Sequence, residues 1–170
     1  MSKGRTLFWF IVRLVAVSVA LFLFWEWKLY VGYAMLFHAV AKPVYALFGV
    51  QLITMQEPIG LVAARFYNII PFISLMAASW GLTWKRRLLG AVAGLAAILV
   101  WHLAFPLIVR SIIASHGLGP TAYQRLSPWF LLSDALPLIL WAVIAYPALA
   151  MLFERQSGAK AVRPLNDKKA

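Results

Sequence analysis

Six polar side chains stand in otherwise apolar stretches: Arg13, Arg65, Asn68, His102, Arg110 and Asp134. An ionisable group inside a bilayer is costly unless it is paired, hydrated or in use, so these are the positions where chemistry is to be sought. Arg65 and Asn68 open one apolar run, Arg110 closes the next, and Asp134 lies early in the last. If those runs are membrane spans, the four residues come to one depth. An Asp134 pair with Arg110 or Arg65, assisted by Asn68, then makes either a polar ligand pocket or a buried ion pair that sets helix register. Two arginines on one side suit an anionic headgroup or a carboxylate. His102, one helical turn before Pro106, is a possible proton relay or a histidine bonded to a neighbouring helix. Arg13 is expected to snorkel to the interface and to do no chemistry.

Catalytic sets are harder to find. There is no cysteine, which removes thiolate catalysis, disulfides and Cys-based metal sites. No His/Glu spacing suits a metal, no Gly-rich loop suits a phosphate, and there is no Gly-x-Ser-x-Gly elbow. Ser133 stands beside Asp134, yet any histidine base is remote in sequence. No cofactor, metal or catalytic residue is expected.

The elements that must position these residues follow from composition. The 170 residues are 64% hydrophobic and 12% charged, with a mean hydropathy of +0.83, which describes a chain solvated mostly by lipid. The net charge of +11 flanks the apolar runs, where it sets topology and meets anionic headgroups; nucleic acid is not an expected partner. A bilayer core needs roughly 20 apolar residues per helix, and spans are expected at Leu7 to Trp27, Arg65 to Leu82, Leu88 to Ile113 and Trp129 to Phe153. The first is too long for a signal peptide and lacks a cleavage signature, so it reads as a retained anchor.

Between the first two spans, Leu29 to Ala64 contains Gly32, Lys42, Pro43, Gly49, Gln51, Glu57 and Pro58. A fifth span there would separate Lys85, Arg86 and Arg87 from the N-terminal Lys3 and Arg5, against the positive-inside bias. The segment is therefore expected to fold back as an interfacial or re-entrant helical pair, with Tyr30, Tyr33, Phe37 and Tyr45 at the interface. The fold class expected is an all-α, integral membrane four-helix bundle. Both termini face the cytoplasm, the loop Ala114 to Pro128 is solvated outside with His116 and Arg125, and residues 156–170 form a flexible basic tail. Gly90, Gly94 and Ala97 form a small-residue face for helix packing, internal or against a partner. Pro71, Pro106, Pro137 and Pro147 are expected to bend their helices.

From Arg65-Phe66-Tyr67-Asn68-Ile69-Ile70-Pro71 through Lys85-Arg86-Arg87-Leu88-Leu89 to Pro106-Leu107-Ile108-Val109-Arg110, the layout resembles the core of exosortase and archaeosortase membrane proteins. The resemblance covers about half the chain and implies a span opened by a nucleophilic cysteine, a basic hairpin, then an arginine and a histidine of a transpeptidase site. Arg110 matches the arginine by context. No cysteine occupies Arg65 to Asn68, and Asp134 stands where the histidine is expected, so the family's covalent mechanism cannot operate here. The layout also looks like that of the small membrane proteins associated with exosortases. The expected role is thus a non-enzymatic accessory or scaffold protein of the bacterial inner membrane, supporting envelope-protein sorting, export or assembly. Its expected partners are the bilayer with its anionic headgroups and another membrane protein. The alternatives are a small transporter or lipid/anion-binding protein, and a divergent transpeptidase or protease.

Overall fold

The computed structural model describes residues 3–50, 62–79, 81–117 and 119–161. Gln51, Gln56, Glu57 and Pro58 of the segment between the first spans, and Arg163, Lys168 and Lys169 of the tail, lie outside the described residues. The described chain is all-helical, with no strand: α1 Lys3–Phe24, a π-turn Trp25–Leu29, α2 Tyr30–Leu47, a 3-10 turn Ala63–Asn68, α3 Ile69–Ala78, α4 Trp84–His116 and α5 Pro120–Ala161. Three stretches are long and apolar enough to cross a membrane, Phe8–Leu47, Trp84–His116 and Pro120–Pro147, and Ala63–Ala78 is a shorter apolar helix. By length and composition this is a membrane protein.

Side-chain contacts fix the order of packing. Phe22 near the end of α1 meets Tyr67 just before α3, which sets those helices antiparallel. Gly90 faces Met76 and Gly94 faces Phe72, so α4 runs back along α3. Gly90 also faces Ile144 and Trp101 stacks on Trp129 at 6.2 Å, so α5 is antiparallel to α4. The four elements therefore alternate in direction around a core that includes Phe66, Phe72, Met76, Ile98 and Phe105.

The segment after the first span differs from the expected separate pair. Gly32 and Pro43 read as breakers, yet Tyr30–Leu47 is one helix, joined to α1 through a π-turn in which the Tyr30 N–H bonds the Trp25 carbonyl. Gly32 lies in open space and loses only helix propensity, while tertiary packing of α2 outweighs that loss. The stop comes at Gly49, whose φ of +69° accompanies bonds from Gly49 N to Ala46 O and from Val50 N to Tyr45 O. That is the Schellman ending, for which glycine is the favoured residue.

The course of α2 follows from two tyrosines. Tyr33 Oη lies 2.7 Å from His102 Nδ1, and Tyr45 Oη donates to the Leu103 carbonyl at 3.0 Å. These tyrosines are about 18 Å apart along α2, yet they reach adjacent residues of α4. The two side chains lean toward each other, so α2 is held to α4 around His102 and Leu103. Tyr33, Phe37, Ala41 and Tyr45 form the i, i+4 ridge it lays down, the last three of them buried.

Two further boundaries differ from expectation. The connection Ala114 to Pro128 is mostly helix: α4 ends at Gly117, φ +67°, and α5 already begins at Pro120, where a missing N–H and a preset φ suit a first helical position. Pro128, Pro137 and Pro147 all lie inside α5. At the other end α5 continues to Ala161, into the region expected to be a flexible tail, because extending an existing helix is far easier than nucleating one.

Candidate functional site

The polar residues gather in one layer, well away from the basic turn. From Leu88 to His102 α4 rises about 21 Å, and at that level the 3-10 turn, α5, α2 and the π-turn all contribute side chains. The 3-10 turn winds more tightly than an α-helix and carries Arg65 and Asn68 toward α5. There Arg65 Nη1 donates to Asp134 Oδ1 in an ion pair. The guanidinium also lies 5.1 Å from the Phe130 ring centroid and 6.0 Å from that of Phe105, so aromatic faces add to the neutralisation of its charge. Asn68 Nδ2 donates to the Ser133 carbonyl at 2.8 Å, with the Ser133 hydroxyl at 3.4 Å.

Arg65, Asn68 and Asp134 therefore come together, and Arg110 does not join them. Arg110 is exposed and makes no hydrogen bond or ion pair among the described residues. The reason is angular: Ile98, His102, Phe105 and Val109 form the buried stripe of α4, and at 100° per residue Arg110 projects about a quarter turn or more from it. Depth along the chain was legible, but azimuth was not, because α4 is apolar on nearly every side. Arg13 lies exposed on α1, with an interaction of its own.

His102 is fully buried. Its Nδ1 pairs with Tyr33 Oη, its ring meets Phe66 at 5.4 Å and Tyr33 at 5.8 Å, and its Nε2 has no hydrogen-bond partner among the described residues. Tyr67 donates to Glu26 Oε1, so the π-turn delivers the one carboxylate of its sequence into the same layer. Tyr33, Tyr67 and Glu26 were not among the expected site residues, although the tyrosine spacing of the α2 ridge was visible as a signal.

Apart from His102 Nε2, these groups are matched to one another within the layer. The Ser133 hydroxyl meets Asn68 and not a histidine, His102 meets a tyrosine, and Asp134 meets an arginine, so no nucleophile is aligned with a base. Among the described residues no three of His, Asp and Glu lie together to hold a metal ion. The arrangement ties the π-turn, α2, the 3-10 turn, α4 and α5 in register, in the way interhelical hydrogen bonds do in lipid.

A second polar knot sits at the basic turn. Arg87 Nη2 donates to the Ser79 carbonyl at 2.6 Å, Ser79 Oγ donates to the Leu75 carbonyl at 2.6 Å, and Trp141 Nε1 donates to Ser79 Oγ at 2.6 Å. A cation at a helix C-terminus satisfies carbonyls that have no helical partner. Arg87 thus closes α3, whereas Lys85 and Arg86 remain exposed. Beside this knot Gly90 and Gly94 pack internally, against Ile144 with Met76 and against Phe72; Ala97 is half-buried on the same helix. The small-residue face is occupied within the chain and offers no partner surface.

No known protein family, no characterised protein and no solved structure matches the chain.

Proposed function

We propose that the chain is a non-enzymatic accessory or scaffold protein of the bacterial inner membrane, serving an envelope-protein sorting, export or assembly system. Its termini and basic turn face the cytoplasm. The observation that carries this reading is the long helix α1–α2, which is little buried along α1 and leaves one side of α2 exposed. Its 40-residue stretch Phe8–Leu47 is apolar enough to cross a membrane, and only 6% of the most apolar window of that stretch is buried, against 39% for the corresponding window of α4. At 1.5 Å per residue it is about 60 Å long, twice a bilayer core. It is longer than a simple span needs, and its second half presents Val31, Met35 and Leu36, all exposed, on the side away from the Tyr33 to Tyr45 ridge. An exposed apolar helical ridge of this kind suits lateral docking by another membrane protein.

The matched pairs of the polar layer support a non-catalytic role, and the layout from Arg65 to Ile113 supports a sorting context. The absent cysteine favours a helper over a transpeptidase. The orientation rests on Lys85 and Arg86, exposed at the tight turn, and on the positive-inside bias. The test is affinity purification of the full chain from its own membranes in mild detergent. A stoichiometric multi-pass partner encoded beside it in a sorting or export gene cluster is expected. A strictly monomeric particle with no co-purifying membrane protein would overturn the reading.

A further inference from the structure

We infer that the end of α4 and the start of α5 form a groove that binds one anionic phospholipid. Beyond the stacked Trp101 and Trp129, the two helices flank an open groove of about 760 Å³. Its lining is mostly apolar, with Leu107, Ile108, Ile112, Pro128 and Trp129, and its polar members are Ser111, Gln124, Arg125 and His116. An apolar groove that carries a cation matches an amphiphile with a negative head.

Three further observations favour a lipid in that place. The first is depth. Lys85 and Arg86 are exposed and must lie outside the hydrocarbon, and from Leu88 to Ile108 α4 rises about 30 Å, the thickness of a bilayer core. The contacts Trp101 to Trp129 and Phe105 to Phe130 put Arg125 about level with Leu107, so its guanidinium meets the headgroup layer while the apolar lining meets acyl chains. The second is donor chemistry: Ser111 Oγ, the Gln124 amide and the Arg125 guanidinium are exposed together on the groove, where they can donate to a phosphate. The third is the state of His116, whose Nδ1 lies 3.2 Å from the Ile112 carbonyl. That contact places the proton on Nδ1 and leaves Nε2 for an outside partner. Arg125 is the primary anchor, since a guanidinium holds phosphate through paired N–H donors.

The full chain is reconstituted in nanodiscs of equal phosphatidylglycerol and phosphatidylcholine, and lipid retained after mild delipidation is counted by native mass spectrometry. One phosphatidylglycerol is expected per chain, with phosphatidylcholine lost. Arg125→Gln should lower its retention about fivefold (~1 kcal/mol at 298 K). Ile108→Trp should lower it comparably by filling the groove with Arg125 intact, and it tests the site even if Arg125→Gln fails to fold. Arg110→Gln, a cation at the same end on another face, should leave retention unchanged. Full retention in Ile108→Trp, or an equal loss in Arg110→Gln, would overturn the inference by showing diffuse surface charge. Displacement of the lipid by millimolar inorganic phosphate would overturn the lipid assignment in favour of a free-anion site.

Discussion

Replacing Gly94 by alanine tests the internal use of the small-residue face. A Cβ at Gly94 would collide with Phe72 Cζ and come within 2.6 and 2.7 Å of the two Cε atoms, and Phe72 is fully buried, so its ring has no free space to enter. Inserting one methyl into such packing costs about 1–3 kcal/mol. Alanine also gains about 1 kcal/mol of helix propensity over glycine, which would blur the reading of a single variant. Gly32 supplies the control, because it is helical and has nothing within 4 Å of its would-be Cβ. Gly32→Ala gains the same propensity without the collision, so the difference between the two variants isolates the overpacking at ~1–3 kcal/mol. The assay is equilibrium unfolding in mixed micelles followed by circular dichroism. Gly90→Ala should fall between the two, since its neighbours are Ile144 Cγ2 at 2.5 Å and the adaptable tip of Met76 at 3.0 Å. Adding Phe72→Leu to Gly94→Ala should recover much of the loss. Equal stability of Gly94→Ala and Gly32→Ala would refute the packing argument.

The polar layer makes its own predictions. Either Arg65→Met or Asp134→Leu alone should destabilise the protein in nanodiscs by about 1–3 kcal/mol, because the remaining charge loses its partner, while the double variant should lie closer to the parent; thermal unfolding reads all three. Tyr33→Phe removes the partner of His102 Nδ1 and should cost about 0.5–1.5 kcal/mol in the same assay. Arg87→Ala should loosen the end of α3, seen as faster amide exchange at Ser79 and Leu75. Because the chain has no cysteine, single introduced thiols report sidedness cleanly: Ser115→Cys should react with an impermeant maleimide in intact cells, and Lys85→Cys only after permeabilisation.

Much of the architecture was readable from the chain. The apolar runs and the tight basic turn specify alternating helices, and Arg65, Asn68 and Asp134 each stood near the end of an apolar run remote from that turn. Depth is a one-dimensional property and survives translation into three dimensions. Facing direction is different: Arg110 shares the depth of the groove but not the face of the buried stripe, and a helix apolar all round gives no periodicity from which to read that face. The continuity of α1 and α2 was hidden for another reason. Gly32 and Pro43 are weak evidence against a helix held by packing, whereas Gly49 carries the positive φ that ends it. The groove was hidden by Pro128, which suggested loop where α5 was already under way.

The claim that this is an accessory protein docking through α2 is tested most directly by photo-crosslinking in the living cell, with the reactive side chain placed at Met35. The account predicts a discrete adduct with a membrane protein of a sorting or export system at Met35, and none at the still more exposed Val143 of α5. Lipid adducts alone at both positions would contradict it.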